Sequence, residues 1–229
     1  MKTAVCISGQ CRTLNQTHEN IRQNLLERIG DYDLFMYVPK DEYSHHAHLL
    51  NPTVLKIADD RHVDEGDLIN GINCRFKTGV QSYLQQLYAL KLCGQLRLSY
   101  EQENGFVYDC IIRCRPDILF MSPVPEIENL DLDCVYLPDF HHFDGCNDRF
   151  AIGNSSNMAI YFSKIDCIHE YVRDYFVNKA IPLSAEMFTM IHLRANNIPT
   201  EILPIRFNRV RTHGMTNDLK KTNRKIKAG

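Results

Sequence analysis

The residues best suited to chemistry lie between Tyr108 and Phe120, where Arg113, Arg115 and Asp117 occupy alternate positions of an apolar stretch. Alternate side chains of a β-strand share one face, so the spacing predicts that these three charges point the same way. Burying charges without partners is unfavourable. Two interpretations are open: an internal Arg–Asp ion pair that fixes loop geometry, or a site that binds phosphate and a metal ion.

A second polar segment, Ser8-Gly9-Gln10 with Arg12 close behind, follows the short apolar run Thr3–Ile7. The run predicts a buried strand, and a glycine after it lets the backbone approach a ligand closely. Arg12 is suited to neutralising phosphate or stacking on a base. The segment is neither a Gly-x-Gly-x-x-Gly fingerprint nor a Walker loop, so it does not indicate dinucleotide or ATP binding of those kinds.

Two acidic residues in the second half of the chain are candidates for proton transfer. Asp148 lies between Asn147 and Arg149, immediately before the apolar run Phe150–Ile152, in a segment rich in turn formers. Glu186 lies at the expected start of a helix, where the helix dipole favours an acidic residue for structural reasons alone. Catalytic and purely structural roles are therefore both open for Glu186.

Histidines near Tyr43 raise the question of a metal site. His45, His46 and His48 are close in sequence, but no cysteine or carboxylate completes a ligand set there. A solvated loop or short helix is the favoured interpretation. His213, in an Arg-Thr-His-Gly string, indicates nothing by itself.

The pattern of apolar residues predicts strands alternating with helices. This alternation predicts an α/β fold, a three-layer sandwich with a mostly parallel central sheet, in which ligands bind beyond the carboxyl ends of the strands. The expected strands are 3–7, 33–38, 53–58, 108–115, 134–137, 150–152 and 201–205, and the expected helices are 14–28, 80–97, one starting near 157, 165–177 and 185–194.

Size and composition predict one ordinary globular domain. The 229 residues are 44% hydrophobic and 24% charged, and the net charge of −2 argues against general nucleic-acid binding. The nine cysteines include no Cys-x-x-Cys pair, and no signal peptide or long apolar run is evident, so we expect a cytoplasmic protein. We expect one domain over residues 1–215 and a basic tail over 216–229, with weak peripheral membrane contact through the tail as an open alternative.

These strings together resemble GT-A glycosyltransferases, and in particular small, poorly characterised GT-A-like proteins of bacteria and large viruses. In those proteins an Ile-Ser-Gly-Gln-x-Arg start, an Arg-x-Arg-Pro-Asp strand and an Asn-Asp-Arg-Phe-Ala-Ile-Gly segment occur in this order. The resemblance runs from about Lys2 to His213. It implies a single GT-A-like (Rossmann-like) domain that binds a nucleoside-diphosphate sugar of the UDP or GDP type.

The resemblance also implies a role for each site residue. Asp117 matches the position of a carboxylate that holds Mn²⁺ or Mg²⁺ on the donor diphosphate, and His213 matches a histidine that completes the metal shell. Glu186 matches an acceptor-side base. Arg115 departs from the pattern, because it occupies the first Asp position of the family's Asp-x-Asp motif. The nucleotide would contact Ser8, Gly9, Gln10, Arg12, Arg113 and Arg115, and the donor and acceptor loop would present Asn147 and Arg149.

The implied reaction moves a sugar to a hydroxyl of a glycan, glycolipid or polysaccharide precursor. Either Glu186 or Asp148 is the candidate base for that hydroxyl. Glu186 as base predicts inversion at the anomeric carbon, whereas a site without a base at the acceptor favours retention. Two rival functions are a catalytically inactive sugar-nucleotide-binding module and a sugar-phosphate nucleotidyltransferase.

Overall fold

The computed structural model describes residues 1–64, 79–178 and 184–216. The expected tail lies outside the described residues from position 217 onward. The strands are β1 Thr3–Ser8, β2 Tyr32–Pro39, β3 Val54–Ala58, β4 Cys110–Cys114, β5 Ile118–Phe120, β6 Val135–Pro138, β7 Ala151–Gly153, β8 Thr200–Leu203, β9 Phe207–Arg211 and β10 Gly214–Met215. Within the described residues, a seven-stranded sheet has the order β3-β2-β1-β4-β7-β6-β8, and a three-stranded sheet has the order β10-β9-β5.

The helices fall close to the positions expected from apolar periodicity. They are α1 Leu14–Ile21, α2 Glu27–Ile29, α3 Val80–Asn104, α4 Ser155–Ser163, α5 Ile168–Tyr171 and α6 Ala185–Ala195. A π-helical stretch, Arg22–Leu26, joins α1 to α2, and another, Val172–Val177, continues α5. The histidine-rich segment forms the 3₁₀ helix Ser44–Leu50, and a second 3₁₀ helix, Lys164–Cys167, follows α4.

Helices cover both faces of the large sheet, which confirms the predicted three-layer α/β sandwich. Leu14 and Ile21 of α1 pack with Val5 of β1 on one face. Cys93 of α3 packs with Cys6 of β1 on the other. Successive residues of one strand therefore lie in different core layers, as expected for a sheet buried on both sides.

The sheet is mostly parallel, with one strand reversed. Strand β1 pairs in parallel with β2 and β4, β2 with β3, and β6 with β8. The short strand β7 is antiparallel to both β4 and β6. Because β7 runs against β4, the residues that precede β7 lie at the carboxyl end of β4. The polar segment before Phe150 is thereby brought to the edge of the sheet at which Arg113 lies, next to the last residue of β4.

The small sheet fixes the turn that contains Asp117. Strand β5 follows this turn and pairs antiparallel with β9. The amide of Val210 donates to the carbonyl of Asp117 at 2.9 Å. Strands β5, β9 and β10 were not among the expected strands.

Cysteine packs as a small apolar residue here. The eight cysteines among the described residues are all free thiols, and seven of them are buried. Over the same residues, no helix has the length and apolar character needed to cross a bilayer.

Candidate functional site

Charged side chains from five parts of the chain meet at the carboxyl edge of β4. We call this set the charged cluster. Arg113 is the penultimate residue of β4, and Arg115 and Asp117 follow the strand. The other members come from the segment before β7, from the start of α6, from the end of α4 and from the end of β9. They are Asp148, Arg149, Glu186, Lys164 and Arg211.

Asp117 is clamped between two arginines. Arg115 donates from Nε and Nη2 to the two carboxylate oxygens at 2.7 and 3.0 Å, and Arg211 Nη1 lies 2.7 Å from Oδ2. Burial alone would raise the pKa of Asp117, but the positive charges of Arg115 and Arg211 hold it well below its usual range. The carboxyl therefore stays ionised. The ion pair of the plainer sequence interpretation is present.

Gln86 of α3 connects this pair to a second carboxylate. Its side-chain oxygen accepts from Arg115 Nη1 at 2.8 Å, and its Nε2 donates to Asp148 Oδ2 at 3.3 Å. Asp148 is buried, which would raise its pKa, yet nearby Arg149 and Lys164 lower it. Asp148 is thus held as a buried anion.

Glu186 is the second carboxylate of the cluster that reaches an arginine directly. Arg149 Nη2 donates to Glu186 Oε1 at 2.9 Å, and Arg113 Nη1 donates to the backbone carbonyl of Arg149 at 2.6 Å. Burial and the negative charge of Asp148 raise the pKa of Glu186 despite Arg149. One carboxylate is therefore kept ionised while its neighbour is brought closer to a pKa suited to proton transfer.

The environment of Lys164 is unusual because this lysine is 1% exposed. Its Nζ donates to Thr189 Oγ1 at 2.9 Å and lies 4.3 Å from the centre of the Tyr161 ring. Burial lowers the pKa of Lys164 to about 8, although Asp148 opposes this shift. The hydroxyl of Tyr161 in turn donates to the backbone carbonyl of Asp148 at 3.3 Å.

The loop before β7 is held tightly against the start of α6. Asn147 Nδ2 donates to the carbonyl of Phe140 at 2.8 Å, and Asn147 Oδ1 accepts from the amide of Arg149 at 3.0 Å. The amide of Cys146 donates to the carbonyl of Glu186 at 2.8 Å. A Cβ atom at Gly145 would lie only 2.2 Å from that carbonyl. Asn147 thus fixes the loop that presents Arg149, and Gly145 allows its contact with α6.

The helix that bears Glu186 begins with a side-chain cap. Ser184 Oγ accepts from the amide of Met187 at 3.1 Å, which satisfies a free amide of the first turn. Glu186 therefore lies in the first turn of α6, as its sequence position indicated.

The first loop lies beside the Asp117 turn rather than within the charged cluster. Gly9 has a φ of 123°, and a Cβ there would lie 3.7 Å from Pro116. Ser8 is buried at the end of β1, whereas Gln10 and Arg12 are exposed on the loop. The four first-loop residues among those predicted to bind nucleotide therefore border the edge at which Arg115 and Asp117 lie.

The described residues do not form a ligand set for a divalent metal. No group of three or more His, Cys, Asp or Glu side chains is placed to hold an ion in the described part of the chain. Both oxygens of Asp117 accept from guanidinium groups, and His213 is exposed in the turn between β9 and β10. Residues arranged in this way do not fit Mg²⁺ or Mn²⁺, which bind through several oxygen ligands.

Sequence reasoning missed three members of the site. Gln86 and Lys164 are polar residues inside or next to predicted helices, and their importance depends on which element faces them. Arg211 stands two residues before His213, and the sequence analysis considered this string only for its histidine. The one available signal was the arginine-rich segment 206–211, in which Arg211 is the third arginine.

The fold is shared with two solved structures of low sequence identity. Mouse xyloside xylosyltransferase 1 has the same fold with a TM-score of 0.50 and 10% identity, over 89% of this chain and 85% of the mouse chain. The galactosyltransferase LgtC, solved with donor and acceptor sugar analogues, matches with a TM-score of 0.51 and 12% identity, over 87% of this chain and 73% of its own. The fold is therefore GT-A-like, as the sequence resemblance implied.

The family is shown by the sequence itself. A model described as a domain of unknown function, DUF7796, matches residues 1–209, and the chain belongs to this family. No curated protein sequence matches the chain significantly.

Proposed function

We propose that this protein is a glycosyltransferase that moves a sugar from a nucleoside-diphosphate donor, of the UDP or GDP type, to a hydroxyl of a saccharide or glycolipid acceptor. The observation that supports this most is the charged cluster at the carboxyl edge of β4, in a fold shared with two glycosyltransferases. Ligands of open α/β sheets bind at such edges.

The charge balance of the cluster suits a diphosphate. Five cationic side chains face three carboxylates, so the cluster has an excess of positive charge when all of them are ionised. The cations are Arg113, Arg115, Arg149, Lys164 and Arg211, and the carboxylates are Asp117, Asp148 and Glu186. Arg113 Nε and Arg149 Nη1 are buried and make no hydrogen bond within the described residues. An arginine that donates two parallel hydrogen bonds to phosphate oxygens binds phosphate strongly and with specific geometry.

Sugar transfer breaks the bond between the anomeric carbon and the diphosphate, and the electron pair leaves with the diphosphate oxygen. The arginines would stabilise that developing negative charge. The acceptor oxygen forms the new bond, and its proton would pass to the Glu186 carboxylate. Asp148 is more buried and held ionised, so we assign it an electrostatic role beside Glu186 rather than that of the base.

Stereochemistry depends on how the acceptor meets Glu186. A base that activates the acceptor for direct displacement gives inversion at the anomeric carbon. If Glu186 does not reach the acceptor, retention is expected. NMR of the product anomer distinguishes the two.

The first experiment is a thermal-shift and turnover screen of the purified protein. UDP, GDP and their sugar conjugates are tested for stabilisation, which linkage places at about 2.7 kcal/mol when the ligand is a hundredfold above its Kd. Release of the nucleoside diphosphate is then followed with mono- and oligosaccharide acceptors and a glycolipid.

Each outcome of the screen has a clear meaning. Stabilisation by one nucleoside diphosphate together with acceptor-dependent release supports the proposal. Binding without release across the acceptor panel indicates the inactive binding module instead. Pyrophosphate release from a nucleoside triphosphate and a sugar phosphate indicates a nucleotidyltransferase. No binding of any nucleotide refutes the proposal.

A further inference from the structure

The Asp117 carboxylate lies beneath two arginine side chains, an arrangement that does not suit a metal ligand. The Asp117 side chain is 7% exposed, whereas its partners Arg115 and Arg211 are 18% and 43% exposed. The surface open to a ligand is therefore formed by guanidinium groups, with the carboxylate beneath them.

We infer that Asp117 is the resident counter-ion of a diphosphate-binding arginine pair, Arg115 and Arg211, and that donor binding at this site is independent of a divalent metal. This inference rests on the proposed function and specifies how the donor diphosphate is held. The two guanidinium groups supply the positive charge at the place where the sequence resemblance implied Mn²⁺ or Mg²⁺.

Contacts of Asp117 are the first reason for this assignment. Arg115 engages both oxygens at 2.7 and 3.0 Å, and Arg211 engages Oδ2 at 2.7 Å. A metal ion would have to displace charge-assisted hydrogen bonds and then sit beside two guanidinium groups that repel it. Among the described residues, no group of three or more His, Cys, Asp or Glu side chains that could hold such an ion includes Asp117.

The second reason is that Asp117 and a bound diphosphate would compete for the same guanidinium groups. Asp117 neutralises part of the charge of Arg115, and Gln86 fixes the remaining Nη1 atom at 2.8 Å. The arginine is thus pre-oriented but retains only part of its charge for a phosphate. Removing the carboxylate charge strengthens the attraction of the pair for an anion, while removing an arginine weakens it.

Opposite effects are therefore expected from two neighbouring substitutions. Calorimetric titration of UDP and GDP, with uridine and guanosine as uncharged probes, is carried out in Mn²⁺ and in EDTA. For the wild type we expect the same Kd in both conditions within about twofold. In EDTA, we expect Asp117→Asn to tighten diphosphate binding about tenfold and Arg115→Gln to weaken it about tenfold. Nucleoside binding should change little in either variant.

The matched control is Glu101→Gln, which removes the carboxylate of another buried Arg–Glu pair. Arg97 Nη1 and Glu101 Oε2 are 2.8 Å apart, and Glu101 contacts the amide of Tyr108 just before the amino end of β4. This pair lies at the opposite edge of the sheet from the charged cluster. The control loses stability for the same physical reason as Asp117→Asn but should bind UDP and GDP like the wild type.

The outcomes separate this inference from the proposed function. If UDP or GDP binds the wild type only with Mn²⁺, and Asp117→Asn abolishes that binding, the inference is overturned while the glycosyltransferase proposal stands. If Arg115→Gln binds UDP or GDP as well as the wild type, the arginine pair is likewise refuted. If no nucleoside diphosphate binds under any condition, both proposals fall. Should Asp117→Asn not fold, the wild-type EDTA comparison and Arg115→Gln still decide the question.

Discussion

Asp148 and Glu186 lie in the same charged cluster but experience opposite electrostatic environments. Several cations, with Arg149 and Lys164 the strongest, outweigh the burial of Asp148 and lower its pKa. For Glu186, burial and the charge of Asp148 outweigh Arg149 and raise its pKa. Pairs of carboxyls whose pKa values are pushed apart commonly divide the acid, base and electrostatic roles of a reaction.

Glu186→Gln tests the proposed base. The amide keeps the size of the side chain and an oxygen that accepts from Arg149, but it cannot take the acceptor proton. We expect the transfer rate to fall by a factor of about 10² to 10⁴, with the Kd for the nucleoside diphosphate changed less than about twofold. In the wild type, the raised pKa of Glu186 should shift the acidic limb of the rate profile to higher pH. That limb should be absent from the residual activity of the variant.

A surface control accompanies this variant. Glu201 is exposed on β8, and Glu201→Gln removes one carboxylate without touching the charged cluster. It should transfer sugar at the wild-type rate. An active Glu186→Gln enzyme would rule out Glu186 as the base.

The lowered pKa of Lys164 predicts that the contribution of this residue to the stability of the fold depends on pH. Its pKa is lowered from 10.5 to about 8 by burial, so between these values the unfolded chain binds more protons than the folded one. Stability from this group therefore rises with pH from about 8 to about 10.5. Compared with Lys164→Met, the wild type should gain unfolding free energy over that range, on the order of 3 kcal/mol.

Urea unfolding of both proteins in parallel measures this difference. Burial also raises the pKa of thiols such as Cys11 and Cys110 to about 12, which lowers the stability of both proteins at alkaline pH. These contributions cancel when the two proteins are subtracted. A difference that does not vary with pH would show that Lys164 titrates normally in the folded protein.

At the scale of elements, the close contact between the loop 140–148 and α6 determines where Arg149 meets Glu186. Gly145 is required there, because a Cβ atom would lie 2.2 Å from both the C and O atoms of Glu186. The loop is also strained, since His141, Phe143 and Asp144 all have positive φ values between 45° and 65°. Strain of this kind persists where surrounding contacts enforce it.

Gly145→Ala should displace the loop from the start of α6. Overpacking of this kind costs about 1–3 kcal/mol, and the shift should lengthen the Arg149–Glu186 contact and reduce transfer. Thermal unfolding and steady-state rates measure the two effects. Gly105→Ala is the control, because its φ of 68° also disfavours alanine while its position at the end of α3 is remote from Glu186. Equal losses of activity in both variants would mean that only general stability is affected.

The elements also explain how far sequence could predict this structure. Apolar runs predicted β1, β2 and β4 because most of their residues are buried on both faces. An apolar run also predicted β3, although this edge strand is only half-buried. Apolar periodicity predicted α3 and α6. Strand β5 has three residues and is recognisable as a strand only because it pairs with β9, almost ninety positions later. The reversed direction of β7 is likewise a property of its partners, and a three-residue apolar run does not encode it.

The candidate site could likewise be predicted from the sequence where it depends on local geometry, but not where it depends on distant partners. Arg115 and Asp117 were predicted to be adjacent on a common face because strand geometry is local, and the alternative of an internal ion pair was open from the start. Gln86 and Lys164 are brought to the site only by the packing of α3 against β1 and β2 and of α4 against β4, which no local sequence pattern specifies. The sequence also could not predict that Arg211 is a partner of Asp117, because Arg211 belongs to β9 of the small sheet.

At the scale of the whole molecule, the charged cluster and its partner Gln86 come from segments between residues 86 and 211, so a diphosphate bound there would join distant parts of the chain. We expect β9 to contribute the last contacts that the charged cluster needs. This strand pairs with β5, its Val210 amide holds the Asp117 carbonyl, and Arg211 contacts the Asp117 carboxylate.

Two truncations test this expectation and the expected single domain over residues 1–215. A chain ending at Thr216 keeps β9 and β10 and loses the basic residues 217–229; it should retain the thermal stability and the UDP or GDP affinity of the full chain. A chain ending at Arg206 loses the partner of β5 and both Arg209 and Arg211. It should unfold at a lower temperature, and any folded fraction should bind the diphosphate more weakly in calorimetric titration. Weak binding by the chain ending at Thr216 would instead assign the basic residues a part in holding the donor, since the charged cluster itself is complete in that chain.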